Sequence, residues 1–192
     1  MSSIFSDPFF RRGTTLLSGE AIDLTVAGLP LAGGEVVGQV KCFQDVRPTG
    51  MGERFSNRLV YCIAARYKGA DVADGTTIAG TTFLFDLAAP LTQITAQLTT
   101  ATHIQSAAVG VLDEYLSGAV RTNDIVWVVV KGPTSVKRTA AVIGVGVAVQ
   151  ASATAGSVLA WTTGIALGQN IEGAATSASV GMTRVNLNSD VL

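Results

Sequence analysis

Charge is scarce in this chain of 192 residues: only 14 % are Asp, Glu, Lys or Arg, against a usual share of roughly 25 %. The 13 basic and 14 acidic residues leave a formal net charge of −1, so the long-range field on which binders of nucleic acid or anionic membranes rely is missing. Aromatic residues make up 6 %. One histidine, His103, and two cysteines, Cys42 and Cys62, cannot furnish a four-ligand zinc site from Cys and His alone. No metal or other cofactor is expected. The opening Met1-Ser2-Ser3-Ile4-Phe5-Ser6-Asp7-Pro8 lacks the basic start and apolar run of a secretory signal. The longest apolar stretch, Ala140 to Val149, has ten residues and contains Gly144 and Gly146. A bilayer-crossing helix needs about 20, so neither a signal peptide nor a membrane span is expected.

What the chain has is 48 % hydrophobic residues, enough to bury a sizeable core. Val, Thr and Ile are abundant and favour a pleated surface, while 21 glycines break any long helix. Period-two alternation predicts strands at Ala21 to Val26, Val36 to Phe43, Arg58 to Arg66 and Thr81 to Asp86. Leu91 to Thr99 leans toward strand through its threonines. A clearer later set comprises Ile125 to Val130, Ala140 to Val149 and Arg184 to Leu187. His103 to Leu116 has helical spacing of apolar residues, but Gly110 in its middle costs a helix about 1 kcal/mol relative to Ala. The segment also echoes a later one. Val109-Gly110-Val111-Leu112, Gly118 and Ile125 to Val130 match Thr163-Gly164-Ile165-Ala166-Leu167, Gly173 and Met182 to Leu187, offset by 54 residues at the first glycine and 55 at the second. Both therefore read as strand, loop, strand. The expected fold is all-β, an antiparallel β-sandwich or barrel. Residues 1 to 15 form an N-terminal arm, with β-rich lobes at 16 to 100 and 101 to 192 that meet as two units or as one continuous domain.

Chemistry-bearing constellations are few. Phosphate-binding and nucleophile-elbow motifs do not occur, and Gly144-Val145-Gly146-Val147 lies inside a strand pattern, where its glycines would let sheets approach closely. Asp113-Glu114 is the adjacent acidic pair, but neighbours on a strand point to opposite faces, so a solvated rim pair is expected. A hydrolase or lyase built on Asp113, Glu114 and His103 is the enzymatic alternative. Asp71 and Asp74 mark a turn without the ligand order of a calcium loop. Cys42 and Cys62 are expected to be buried thiols, with a disulfide between adjacent strands as the alternative. Trp127 and Trp161 are expected in the core.

The amino terminus carries the strongest binding signal. Phe5, Phe9 and Phe10 place three of the seven phenylalanines within six residues, around Pro8 and just before Arg11-Arg12. Aromatic side chains beside arginine are typical interface anchors. Burying three Phe side chains contributes roughly 5 to 9 kcal/mol, comparable to ordering some eight residues at about 1 kcal/mol each. Phe5, Phe9, Phe10, Arg11 and Arg12 are thus the expected anchor, engaging a partner or the chain's own body. No catalytic residues are assigned.

The succession Asn123-Asp124-Ile125-Val126-Trp127-Val128-Val129-Val130-Lys131-Gly132-Pro133, Thr163-Gly164-Ile165-Ala166-Leu167, Gly173-Ala174-Ala175 and Thr183-Arg184-Val185-Asn186-Leu187 resembles head-decoration, or capsid cement, proteins of tailed bacteriophages. The resemblance covers residues 101 to 192. It implies an all-β structural virion protein that binds the outer capsid surface and cross-links major capsid subunits. Its implied partners are the major capsid protein and itself, as a homotrimer or other homo-oligomer, in a virion assembled in the host cytoplasm, with no nucleic acid or membrane. A phage tail, neck or fibre-base component is the alternative. A carbohydrate-binding β-sandwich module is a further one, which would need exposed aromatics on one face.

Overall fold

The computed structural model describes residues 37–38, 40–45, 58–73, 78–86, 93–97, 99, 109–113, 116, 120–139, 142–171 and 181–188. Every regular element among them is a strand: β1 (Val40–Asp45), β2 (Arg58–Tyr67), β3 (Thr82–Phe85), β4 (Gln93–Gln97), β5 (Val109–Leu112), β6 (Ile125–Arg138), β7 (Ala148–Ala151), β8 (Val158–Ala160), β9 (Gly168–Asn170) and β10 (Gly181–Asn188). The all-β expectation holds, and the sheet is mixed because β2–β4 and β6–β8 pair in parallel. Ala21 to Val26, the arm residues Phe5, Phe9, Phe10, Arg11 and Arg12, His103, Glu114 and Asp74 lie outside the described residues.

The pairings close into two rings. β2–β4–β3–β5–β6 returns to β2, and β6–β10–β9–β7–β8 returns to β6. Both rings have five strands and one connectivity: the first strand runs parallel to the third, the second pairs with the third and fourth, and the fifth joins the fourth to the first. The long β6 belongs to both, closing the first ring with its amino-terminal half and opening the second with its carboxyl-terminal half. Among the described strands, closure gives every strand of a ring a neighbour on both sides.

The registers superpose residue on residue. Val128 stands between Ile63 and Leu112, as Val185 stands between Thr134 and Asn170. Gly110 lies opposite Phe83 as Gly168 lies opposite Val149. Tyr67 meets Ile94 as Arg138 meets Val158. The sequence echo agrees with this equivalence from Ile125 and Met182 onward but not at its first glycine: Gly110 lies in β5 and corresponds to Gly168, whereas Gly164 lies in the loop leading into β9. Thr163 to Leu167 is not the strand expected from the echo.

The rings differ inside. Ile63, Tyr67, Phe83, Phe85, Ile94, Leu112, Val126 and Val128 pack within the first ring, where the Tyr67 and Phe83 rings meet edge to face at 5.8 Å. At equivalent positions the second ring buries Thr134, Arg138, Asn170 and Thr183. The opposite faces of β2, β5 and β6, including Cys62, Ala64, Val111, Ile125, Trp127 and Val129, are also buried, in one cluster with Val149, Val158 and Val185. That double burial explains why Ile125 to Val130 is an unbroken apolar run without alternation. Trp127 is 2 % exposed, as expected of a core residue.

Where β6 passes from one ring to the other stands Gly132, whose φ of 104° disfavours any side chain and where a Cβ would strike Leu59 O. Backbone bonds add to the join, from Thr82 N to Gly156 O at 3.0 Å and from Lys137 N to Gly80 O at 2.9 Å.

Cys42 pairs across the ladder with Tyr61 and Cys62 with Lys41, so the two sulfurs lie on opposite faces of the β1–β2 ribbon and no disulfide joins them. Only Cys62 is buried; Cys42 is exposed, which corrects half of the buried-thiol expectation.

Candidate interaction surface

Each ring has an end at which its first and fourth strands finish and its second begins. At that end of the first ring the loops are stitched together by polar groups. Thr122 N donates to Asp71 Oδ1 at 2.7 Å, and the single proton of the Thr122 hydroxyl is shared between Gly69 O at 2.8 Å and Asp71 Oδ1 at 3.0 Å. Lys68 Nζ donates to Asn123 Oδ1 at 2.6 Å, and the bridge between Val72 and Val120 closes the end over buried Ile78 and Leu116. Asp124 Oδ2 accepts from Arg121 N at 2.8 Å, which shapes the turn that places Thr122 and Asn123. Asp113, expected on a solvated rim, is instead fully buried between β5 and this end.

Asp71 is exposed, yet its carboxyl is held below the usual aspartate value, first by the Thr122 backbone N–H, then by the Thr122 hydroxyl, with Arg121 adding to both against a small desolvation. A folded-state value below the unfolded one contributes stability above the unfolded value, and that contribution is lost as pH falls through the folded value. Asp71→Asn is therefore expected to flatten the acid limb of the stability curve below about pH 4. Urea titrations of both chains across that range check it, and parallel limbs would contradict the assigned bonds.

The equivalent end of the second ring is built differently. The residues from Thr139 to Ile171 contain no Asp, Glu, Lys, Arg or His, a run of 33 positions. Val142, Val145, Val147, Trp161 and Ile171 are exposed there, Val145 by 62 % and Trp161 by 45 %. The topology brings them together: Trp161 N donates to Ala148 O at 2.8 Å, while Asn170, next to Ile171, donates its N–H to Val147 O at 2.9 Å and accepts from Gly146 N at 2.8 Å.

This apolar end rests on a buried amide. Asn170 Nδ2 donates to Ile143 O at 2.9 Å and to Gly144 O at 3.0 Å, and its Oδ1 accepts from Thr183 Oγ1 at 2.8 Å. The segment expected as a strand from Ala140 is thereby held as a loop over 142–147, with strand only from Ala148. Gly146 has a φ of 78°, and nothing packs closer to its Cβ position than Gln169 Nε2 at 4.0 Å. The glycine thus serves the turn, and the expected close approach of sheets at this site is corrected.

Trp161, expected in the core, is on the surface, and its indole is pinned. Nε1 donates to Gly164 O at 3.0 Å, and Gln150 Oε1 accepts from Thr162 N at 2.8 Å and Thr163 N at 3.1 Å. A large aromatic side chain held before any partner arrives loses little conformational entropy on burial.

A second feature lies at the junction of the rings, a groove of about 540 Å³ lined by Leu59, Tyr61, Lys131, Pro133, Gln169 and Asn186 among others. Lys131 Nζ sits 5.9 Å from the centroid of the Tyr61 ring, which is 37 % exposed. Among the described residues no three His, Cys, Asp or Glu side chains converge on one point. No described helix is long and apolar enough to cross a membrane.

Sequence reasoning missed the apolar end because its members are scattered over 30 positions, each bland by itself. The signal that could have found it is the charge-free run, which is unusual for residues that include exposed loops. No family model matches the chain, and no curated protein or solved structure matches it either.

Proposed function

We propose that this chain is a structural protein of a bacteriophage virion, binding the outer surface of the capsid and stabilising the shell by linking major capsid subunits. The observation that supports the reading best is the charge-free, apolar end of the second ring, with Trp161 pinned at its surface. Exposed apolar area of this kind costs solubility unless a partner covers it. The resemblance of Asn123 to Pro133 and Thr183 to Leu187 to phage head proteins supplies the setting. Many copies, each with modest contacts, clamp a lattice through the raised effective concentration of every contact after the first. The anchor in this reading is the arm, with Phe5, Phe9, Phe10, Arg11 and Arg12.

The test is co-sedimentation of the full chain with shells assembled from the major capsid protein of the same virus. The chain is expected to coat the shells and to raise their resistance to heat. A chain lacking residues 1 to 12 is expected to keep its fold and lose retention on the shell; unchanged occupancy would remove the arm from the mechanism. Absence of any binding by the full chain would overturn the capsid reading.

The junction groove favours one other reading, a carbohydrate-binding module, since the exposed Tyr61 lines it together with the polar residues Gln169 and Asn186. Titration of neutral oligosaccharides against the chain and against Tyr61→Ala decides it: Tyr61-dependent binding would favour that module over the capsid role.

A further inference from the structure

We propose that the groove at the junction of the rings, with the exposed strip of β1 and β2 beside it, takes an extended segment of a capsid subunit, apolar and bearing a carboxylate that meets Lys131. Strand register puts the side chains concerned on one face. Cys42 pairs with Tyr61 across β1 and β2, and Tyr61 with Lys131 across β2 and β6, while Val40 and Leu59 stand two residues from Cys42 and Tyr61 on the same side. All five are exposed. The shape of the groove is set by backbone, since Gly132 and Gly168 line it and a Cβ at either would strike Leu59 O or Asn186 O. A recess fixed in this way exists before any ligand arrives, which lowers the cost of binding.

The occupant follows from the charge that is present. Among the described residues that line the groove, Lys131 is the charged one and no carboxylate accompanies it. Its Nζ stands 5.9 Å from the Tyr61 centroid, beside the apolar strip. A segment that covers Leu59 and Tyr61 takes this ammonium partly out of water, and a carboxylate offsets that loss through a charge-assisted hydrogen bond. Gln169 and Asn186 add exposed amides for main-chain groups; Gln169 Nε2 is already held by Gly146 O at 2.8 Å, which leaves its Oε1 to accept. The chain's own arm carries Arg11 and Arg12 beside its phenylalanines, the same sign as Lys131, so the complement lies on another chain. A peptide is favoured over a saccharide because the ammonium competes with a sugar for the Tyr61 ring face, and because Val40 and Cys42 carry the apolar strip beyond the groove.

This rests on the capsid reading and adds a second contact to the arm. Cys42 is exposed on the strip whereas Cys62 is buried, so the reactivity of Cys42 reports coverage. Its alkylation by iodoacetamide is followed in the full chain, free and on shells assembled from the major capsid protein of the same virus. The rate is expected to fall about tenfold or more on shells. Tyr61→Asp and Lys131→Glu, both at exposed positions, are expected to weaken coating by on the order of 10-fold without loss of β-sheet signal, and Lys131→Gln by a smaller factor that vanishes in about 1 M salt. Lys68→Glu, at the closed end of the first ring, is expected to change nothing. Shells coated with Cys42 still alkylated at the free rate, or coated at parental strength by both Tyr61→Asp and Lys131→Glu, overturn the proposal and leave the capsid reading standing. A parent chain that ignores shells overturns both. Protection of Cys42 by a neutral oligosaccharide in place of shells assigns the groove to a saccharide, and protection on concentrating the free chain assigns it to a second copy; either result overturns the proposal.

Discussion

Gly168→Ala is expected to destabilise the protein by about 3 kcal/mol or more, read as a lower urea midpoint at unchanged slope. A Cβ at this position would run into Asn186 O and come within 2.9 Å of Val185 Cγ1. A backbone carbonyl in a paired strand cannot step aside as a rotamer can. Gly110, the equivalent residue of the first ring, is the control. Its Cβ would strike Val128 Cγ1 and approach Phe85 Cε2 to 3.1 Å, all side-chain atoms. Gly110→Ala is therefore expected to cost about 1 to 3 kcal/mol, with Val128→Ala recovering part of it as a favourable coupling of about 1 kcal/mol in a double-mutant cycle. Val185→Ala is expected to recover little of the loss at Gly168. Equal coupling in the two cycles would contradict the close approach of β9 to the β10 backbone.

Asn170→Leu, with the same number of side-chain heavy atoms but a bulkier, apolar end, is expected to cost about 3 kcal/mol, because it removes the partner of Ile143 O and of the Thr183 hydroxyl and one of the two donors to Gly144 O. Thr183→Val removes one of these bonds together with its donor and is expected to cost about 1 kcal/mol. Asn170→Asp keeps the acceptor for Thr183 but faces two carbonyl oxygens with a buried carboxylate. Burial and those carbonyls raise the folded-state value of such a carboxyl. The loss should therefore be largest at neutral pH and shrink as pH falls toward about 4, opposite in sign to the effect at Asp71. Hydrogen exchange at Gly146 and Val147 is the local check. Their amides should lose protection in Asn170→Leu before the amides of β2 do, and unchanged protection would mean that the amide does not hold the loop.

The strands that could be read in the sequence are those with local causes. Arg58 to Arg66, Thr81 to Asp86 and Arg184 to Leu187 reappear as β2, β3 and β10 with ends shifted by a few residues, since alternation of β-branched and polar residues is written in the segment itself. Val109 to Leu112 is a strand against the helical spacing around it, as Gly110 and the echo suggested. Ala140 to Val149 shows how the same rule fails. Val145 and Val147 continue the alternation, but the carbonyls of Ile143 and Gly144 are claimed by Asn170, some 27 positions away, and Gly146 turns the chain. Trp161 was misplaced for a similar reason: an indole inside an apolar stretch reads as core, and only the bond to Gly164 O and the loops around it put the ring outside.

The sequence by itself determined the all-β class, the absence of a strong field and the buried block Ile125 to Val130, because composition and short-range periodicity carry those properties. Only the tertiary structure decided that two five-stranded rings share β6, that Asp113 and Asn170 are buried, and that Val142, Val145 and Val147 come to the same exposed end as Trp161 and Ile171. Each of these depends on which strand pairs with which, and pairing is fixed by hydrogen bonds and packing between residues distant along the chain, which no local pattern records.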